Sequence, residues 1–550
     1  MPPTHEVTNQ PPPLVGHDLY AGDPALAEAV GRYGAAAAGP ALHALGTRAG
    51  TEQAQRWGTE ANAYPPVLRT HDRYGHRIDE VDFHPSWHEL LRVAVGAGLH
   101  ATPWTSPAPA PHVTRAAGFY LWSQVEAGHG CPVSMTYAVV PALRAAPELA
   151  AAYEPGLTAA VYDPGLRTPA TKAGLLAGMG MTEKQGGSDV RANTTRAVPT
   201  ADGSYLLTGH KWFCSAPMCD VFLVLAQADE GLTCFLVPRV LPDGSRNTFR
   251  LQRLKDKLGN RANASSEVEF DDTVGWRVGD PGRGVATIIE MVTLTRLDCV
   301  LGSAAAMRAA VTQAIHHTTY RSAFGRPLRE QPLMAAVLAD LAVEAEAASA
   351  LAIRLASTVD TGETALGRLA TAVAKFWVCK RTPAVVGEAL ECLGGNGYVE
   401  ESGLPRLYRD APLNGIWEGS GNVIALDVLR AIIRQPDSVT AFLAELELAT
   451  GADARLDAAV KHLRDQLAHV ESTVRDLRTT AAPPTALEAG ARYLATQMAR
   501  CLQASLLTRH APPAVADACC ARLEAPTPVF GLLPPENPAA IIDRAGATGR

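Results

Sequence analysis

The spacing of apolar positions changes character twice along this chain. From about Leu26 to Leu176 apolar residues recur at helical intervals, in Ala- and Leu-rich stretches broken by Pro and Gly, most clearly over 87–95 and 118–127. Residues 107–111 read as a Pro-rich connector. Near Thr182 the texture shortens. The segments 205–208, 221–226, 233–237, 249–254 and 267–270 are compact runs set off by the turn signals Asp202-Gly203, Gly231, Pro242-Asp243-Gly244 and Gly259-Asn260. Short strands so closely spaced predict a small barrel or sandwich.

After Gly284 the helical spacing returns. Residues 291–320, 332–360, 366–393 and 422–434 predict four helices, enough for an antiparallel bundle. Small residues in the middle two permit close packing. Past Gln435-Pro436-Asp437 a further helical stretch runs to about Leu523, and the Pro/Ala-rich end, with Pro526, Pro528, Pro534, Pro535 and Pro538, reads as a loose tail. The expected layout is an N-terminal helical domain over 1–180, a β-barrel over 181–283, a four-helix bundle over 284–435, a helical domain over 436–524 and a tail over 525–550. The class is mainly α with a central β-barrel. No internal repeat is visible.

Composition narrows the function. At 550 residues, 47% hydrophobic and 19% charged, the chain has the balance of a globular protein with a large core. A net charge of −7 and a pI near 6.2 give no global pull toward nucleic acid, so DNA binding would need a local patch. No run of about 18 apolar residues predicts a membrane span. The N-terminus, with Glu6, Asn9 and Pro11-Pro12-Pro13, lacks the basic start and apolar stretch of a secretory signal. Ten cysteines without a C-x-x-C pair suit a reducing cytoplasm and disfavour structural zinc.

The candidate chemistry lies in four short segments. Thr182-Glu183-Lys184-Gln185-Gly186-Gly187-Ser188-Asp189 joins the first helical region to the strands. Its glycines permit close backbone approach, so main-chain N–H groups and the Ser188 hydroxyl can hold a pyrophosphate while Thr182 reaches a flavin edge; a glycine turn with an Asx cap would use the same residues. Gly209-His210-Lys211-Trp212-Phe213-Cys214-Ser215 ends a strand with a ring beside a hydroxyl, which suits a flavin face and equally a core aromatic pair. Trp417-Glu418-Gly419-Ser420-Gly421-Asn422 offers one carboxylate at a helix start. Such an acid either satisfies first-turn N–H groups or serves as a base beside a ring, with Arg430 and Arg296 as candidate partners. Leu393-Gly394-Gly395-Asn396-Gly397-Tyr398 reads as a helix C-cap or a close-approach site for a neighbouring subunit's cofactor. Rossmann, P-loop and zincin signatures are absent.

In this order the segments resemble the acyl-CoA dehydrogenase family. The run 178–196, Lys255-Asp256-Lys257-Leu258-Gly259-Asn260-Arg261, Arg406-Leu407-Tyr408-Arg409 and 416–422 look like its AidB branch, the flavoprotein induced in the adaptive response to alkylating agents, and the similarity spans about 11–522. The resemblance implies FAD between barrel and bundle, held by Met179, Met181, Thr182, Gly187, Ser188, Phe213, Cys214, Ser215, Ile416, Trp417 and Asn422. It implies Glu418 as catalytic base, Arg321 with Gly394-Gly395 reaching a partner subunit's FAD, and a homotetramer. Two positions depart from the family pattern: Pro332 stands where Gln is usual, with Gln331 one earlier, and Glu391 replaces a Gln before the glycine cluster. The inter-subunit grip on the cofactor's ADP half is therefore expected to differ.

The branch is also linked to non-specific double-stranded DNA binding through its C-terminal domain. Residues 438–550 carry 11 Lys/Arg against 12 Asp/Glu, a net of −1. Lys461, Arg464, Arg475 and Arg478 fall at helical spacing and are the candidate contacts, extended by Arg492, Arg500 and Arg509; the same face balanced by Asp457, Asp465 and Asp476 would be merely solvated. The sequence thus points to a cytoplasmic, FAD-containing protein that binds duplex DNA and limits alkylation damage, with room for a weak acyl-CoA dehydrogenase activity. The alternative is a metabolic dehydrogenase of short or branched acyl-CoA.

Overall fold

The computed structural model describes residues 4–480, 485–524, 530 and 535–546, without the side chains of 476–480 and 486. In chain order the elements are α1 (Pro24–Arg32), α2 (Gly39–Ala49), α3 (Glu52–Ala63), β1 (Val67–His71), β2 (Arg77–Asp82), α4 (Pro85–Gly96), α5 (Thr102–Thr105), α6 (Pro111–Ser123), α7 (Gly130–Leu143) and α8 (Pro147–Leu157). Strands β3 (Ala177–Gly180), β4 (Arg196–Pro199), β5 (Tyr205–Ser215), β6 (Val221–Ala228), β7 (Gly231–Pro238), β8 (Phe249–Leu254) and β9 (Ser265–Val278) follow. The rest is helical: α9 (Gly284–Tyr320), α10 (Pro332–Asp360), α11 (Thr364–Cys392), α12 (Leu404–Asp410), α13 (Gly421–Arg434), α14 (Pro436–Glu447), α15 (Ala454–Thr480), α16 (Thr485–His510), α17 (Pro513–Glu524) and α18 (Pro538–Ala545). The chain divides into two compact units, a barrel unit of 53–111 and 125–298 and a helical unit of 1–52, 112–124 and 299–550.

In the barrel unit the strands pair in the order β6-β4-β5-β9-β7, and β7 returns to β6, which closes the barrel. β3 adds in parallel to β6 and β8 adds to β9. Closure removes exposed edges. The core is aromatic at its centre: Phe222 lies 4.8 Å from Phe249, which lies 5.5 Å from Phe270. Arg239 is buried beneath them, donating to Asp79 O at 2.7 Å and to Pro217 O, so the β1–β2 hairpin is fastened to the barrel. That hairpin is a correction, since 26–176 read as helical throughout. β1 alternates exposed and half-buried and β2 half-buried and buried, over only five or six positions, too few to stand out from the helices on either side. Two barrel strands are also longer than their apolar runs. β5 and β9 extend through polar residues because they pair with each other along most of their length, bulges included, and partner hydrogen bonds outweigh side-chain pattern.

In the helical unit α10 and α11 are buried on nearly every side and carry the bundle core, with α13, α14 and α16 packed against α11. Carboxylates at the seams hold the outer helices. Glu445 of α14 binds Arg354 of α10 at 2.8 Å and Arg509 of α16 at 2.6 Å. Burial alone would raise the Glu445 carboxyl, but the two guanidiniums hold it below its ordinary range. Within the stretch expected to be a loose tail, α18 is a helix whose Ile541 and Ile542 are buried and whose Arg544 pairs with Glu28 at 2.7 Å and Glu346 at 3.0 Å. Asn537 caps it by accepting from Ala540 N. The prolines around it masked this short amphipathic run; residues 525–529, 531–534 and 547–550 of that tail lie outside the described residues.

Candidate active site

The barrel gathers the first group of candidate residues on one edge. β3 carries Met179, and the loop beyond it is fixed to β5 where Trp212 N donates to Thr182 O at 2.8 Å. Asn193 Nδ2 donates to Met181 O at 2.8 Å. Cys214 Sγ lies 3.9 Å from Met179 O. Along β5 the side chains alternate, so Phe213 is 51% exposed and Ser215 half-buried, while Cys214 points into the core and burial pushes its thiol up to about 12. Cys214 therefore presents main chain rather than sulfur at this edge. In the loop, Gly186 adopts φ +146°, and a Cβ on Gly187 would sit 2.5 Å from Thr182 Oγ1. Gly187 and Ser188 are both exposed.

Glu183, which sequence reasoning passed over, anchors this loop. Its fully buried carboxylate accepts from Lys211 Nζ at 2.8 Å, Thr195 Oγ1 at 2.6 Å, Thr194 N at 2.7 Å and Gln185 Nε2 at 2.7 Å. Burial pushes the carboxyl upward, yet the Lys211 ammonium and the hydrogen bonds outweigh it and hold it at about 2. Lys211 Nζ also donates to Leu225 O at 2.7 Å. The octet alone does not signal this role, because apart from Gln185 its partners come from 194–195 and 211.

A cationic shelf flanks the exposed ring. Lys255 Nζ stands 3.1 Å from the Trp212 ring centroid and 4.7 Å from that of Phe213, and pairs with Glu267 at 2.6 Å. Lys257 Nζ donates to Ser265 Oγ at 3.1 Å, and that hydroxyl lies 3.4 Å from Ser215 Oγ. An exposed aromatic face, two hydroxyls, a glycine cradle that a Cβ would fill and two ammonium groups form a donor set suited to the rings and phosphates of a flavin nucleotide.

In the helical unit a second group forms around the start of α13. Glu418 takes the left-handed conformation, φ +57°, and Gly419 follows at φ +107°. A β-carbon there costs an L-residue roughly 1–2 kcal/mol, so something must hold the turn. Lys375 of α11 does. This residue is 1% exposed, and its Nζ donates to Trp417 O at 2.9 Å and Gly419 O at 2.5 Å, one carbonyl on each side of Glu418. Trp417 Nε1 donates to Asn414 Oδ1 at 2.8 Å, fixing the neighbouring ring. Ile416 is 62% exposed, and Asn422 Oδ1 accepts from Arg492 Nη1 at 3.2 Å. Arg430 does not serve Glu418: with Arg368 it binds Asp427, at 3.3 and 2.8 Å. Sequence reasoning missed Lys375, although a lone lysine in the apolar run Thr371-Ala372-Val373-Ala374-Lys375-Phe376 was a readable signal.

The remaining candidates lie elsewhere in the helical unit. Arg321 Nη1 donates to Asn9 O at 2.8 Å, and Asn9 also exchanges hydrogen bonds with Ser322. Two large apolar side chains of this unit stand in the open: Phe324, three residues on, is 98% exposed and Tyr398, in the glycine cluster, 83%. A Cβ on Gly394 or Gly395 would meet nothing within 4 Å. On α15, Lys461 is exposed, Arg464 pairs with Glu447 and Arg475 with Glu471 at 3.7 Å. The side chain of Arg478 lies outside the described residues. Two expected extensions of that basic face are corrected. Arg509 turns inward to Glu445, and Arg500 donates to Arg522 O.

The order of helices, closed barrel and helical bundle is the fold of the acyl-CoA dehydrogenase class. Residues 178–273 match the acyl-CoA dehydrogenase middle domain and 282–433 its C-terminal domain. The flanks name the branch: 9–164 match the adaptive response protein AidB N-terminal domain, and 439–522 the acyl-CoA dehydrogenase 11 C-terminal domain-like family. The chain is 49% identical to the putative acyl-CoA dehydrogenase AidB of Escherichia coli K12, over 84% of its own length and 87% of the relative's. It is 31% identical to acyl-CoA dehydrogenase family member 11 of Caenorhabditis elegans, over 84% and 78%. Among solved structures, that of Caenorhabditis elegans ACDH-11 in complex with C11-CoA superposes with a TM-score of 0.84 at 28% identity, covering 95% of this chain and 94% of that one. The chain therefore belongs to the acyl-CoA dehydrogenase family, as an AidB-like member.

Proposed function

We propose that this protein binds FAD and acts on an acyl-CoA thioester, with Glu418 as the base. On the barrel, Met179, Met181, Thr182, Gly187, Ser188, Phe213, the Cys214 main chain and Ser215 are the residues assigned to the cofactor; Ile416, Trp417 and Asn422 are assigned to it by the family motif they match. The observation that carries the reading is the turn pinned by Lys375, which spends backbone strain to hold one carboxylate in a fixed orientation. The Glu418 carboxylate removes the α-proton of the acyl group, leaving the electron pair to form the α,β double bond. When bound, the flavin supplies the acceptor for the β-hydride, and an external acceptor then takes the two electrons. The C11-CoA complex of a relative with this fold supports a thioester as ligand.

The test is reduction of an artificial acceptor with a panel of acyl-CoAs, beside the visible spectrum of the purified protein. Turnover lost in Glu418→Gln with the flavin spectrum retained supports the assignment. A protein that is colourless and cannot be reconstituted with FAD overturns it.

A second reading, duplex DNA binding in an alkylation response, is favoured by the AidB match and by the exposed Lys461 and Arg475 on α15. Lys461, Arg464 and Arg475 form the described part of the patch that meets phosphates. The pairing of Arg464 with Glu447 makes the patch switchable rather than permanently bare, since a phosphate must displace the carboxylate. Damage is limited by shielding or by repair, in a cytoplasmic protein; among the described residues no helix is long and apolar enough to cross a membrane. The exposed Phe324 and Tyr398 beside Arg321 and the glycine cluster support a homotetramer in which Arg321 reaches a partner's FAD. Sedimentation of the wild type against Phe324→Ser tests it, with a monomer expected for the variant.

A further inference from the structure

Helix α16 reaches the start of α13 with one side chain. Arg492 Nη1 donates to Asn422 Oδ1 at 3.2 Å, between residues 70 apart in the sequence. The same guanidinium lies 5.9 Å from the ring centroid of Phe376 on α11. Lys380, one turn further along α11, holds its ammonium 6.0 Å from that ring. A Cβ on Gly421 would stand 3.1 Å from Lys380 Nζ, so the lysine extends to the first residue of α13. Arg492 and Lys380 therefore bracket Gly421-Asn422 from two different helices, and both are exposed.

The charge at this edge is one-sided. Among the described residues neither Lys380 nor Arg492 pairs with a carboxylate; their partners are the Phe376 ring and the Asn422 amide oxygen. The first turn of α13 contains no acid. Asp427, further along that helix, is bound by Arg368 and Arg430. Partial burial, then the charges of Arg492 and Lys375, pull the Lys380 ammonium below the usual lysine range. Cations gathered in this way repel one another, and an anion seated between two of them relieves the repulsion. The hydrogen bond to Arg492 also sets the Asn422 amide. A guanidinium only donates, so the amide must turn its oxygen to it, which aims Nδ2 elsewhere as a further donor.

We propose that Lys380 and Arg492 clamp the pyrophosphate of the dinucleotide cofactor, with Arg492 also orienting Asn422 toward it. The clamp presupposes the FAD assignment of Asn422 and deepens it. Both side chains donate to phosphate oxygens through charge-assisted hydrogen bonds, the ammonium as a point charge and the guanidinium as a fork. Asn422 and Lys380 fall within 282–433, matched by the acyl-CoA dehydrogenase C-terminal domain, whereas Arg492 falls within 439–522, matched by the acyl-CoA dehydrogenase 11 C-terminal domain-like family. The added helical domain is thereby part of the cofactor seat, and cofactor binding ties α16 to α11 and α13.

The experiment follows FAD release from the full-length protein after incubation with FAD, read as the return of free-flavin fluorescence on dilution, for wild type, Lys380→Gln and Arg492→Gln. Thermal melting checks that each variant is folded. Each should weaken FAD retention by at least about tenfold. Lys380→Gln leaves the hydrogen bond between Arg492 and Asn422 in place, so it tests charge alone. At about 1 M KCl the gap between wild type and variants should shrink, because salt screens exposed charges, whereas a packing role would leave the gap as it was. The proposal is overturned if either folded variant holds FAD as tightly as the wild type, if the gap persists undiminished at high salt, or if both variants keep FAD and lose duplex DNA retardation instead. A wild type that takes up no FAD ends the flavin reading and the clamp together; a wild type that holds FAD beside unchanged variants ends the clamp alone.

Discussion

Replacing Lys375 by Met should free the Glu418 turn while leaving the bundle folded. The perturbation removes the ammonium of a residue that is 1% exposed, which donates to Trp417 O and Gly419 O. Two carbonyls lose a charged donor, each at about 1–3 kcal/mol where no water replaces it. Against that, the cost of burying an ammonium, several kcal/mol, is no longer incurred, and the Met side chain fills most of the stem's volume. The two effects nearly cancel for the whole fold, so the melting temperature should move by only a few degrees, about 1–2 kcal/mol in stability. They do not cancel locally. Glu418 sits at φ +57°, a strain of about 1–3 kcal/mol that the paired carbonyls oppose. Without them the strained turn loses a factor of roughly 10–100 in population. Amide exchange over 415–421 should accelerate by that factor while α11 keeps its protection, and any Glu418-dependent turnover should fall similarly in kcat with little change in KM. Lys375→Arg should restore part of the protection. Unchanged exchange over 415–421 in a folded Lys375→Met protein would refute the reasoning, whatever the reaction proves to be.

Four further outcomes follow from the same geometry. Glu183→Gln strands the buried Lys211 and should cost about 3–5 kcal/mol in urea unfolding. Because the Glu183 carboxyl is held at about 2, below its ordinary 4.5, its contribution is fully present above pH 4.5 and disappears as the pH falls toward 2; the gap between wild type and variant should close over that range and stay constant above it. Gly187→Ala drives a methyl to 2.5 Å from Thr182 Oγ1 and should loosen FAD retention about tenfold, read from the bound flavin after gel filtration; full retention would remove the cradle from the site. Replacing both Lys461 and Arg475 by Ala should reduce the salt slope of duplex retardation by about two units, whereas an unaltered slope moves any DNA contact off this face.

Much of this architecture was legible before any coordinates. Helical spacing gave α10 over Pro332–Asp360, and the turn signals bracketed β8 over Phe249–Leu254. Apolar period and Pro/Gly punctuation are local properties, so they survive being read one window at a time. The run 178–189, the ring-and-hydroxyl pair Phe213 and Ser215 and the lone acid Glu418 were readable for the same reason, each being a contiguous motif.

What sequence alone could not decide are the facts that depend on distant partners. The β1–β2 hairpin is set by Asp79, Arg239 and Leu251, far apart in the chain. The loop of Thr182 is held by Lys211, and the turn of Glu418 by Lys375. The basic stripe of α15 and α16 also divided only in three dimensions, leaving Lys461 in solvent, Arg509 on Glu445 and Arg500 beside a cavity. A charged side chain keeps its identity in the sequence, but whether it meets water, a carboxylate or a carbonyl depends on which helices pack together. The sequence therefore determined the elements, the fold class and the candidate chemistry. Tertiary packing decided which charges are anchored and which remain available, because a buried charge persists only where remote parts of the chain supply its partner.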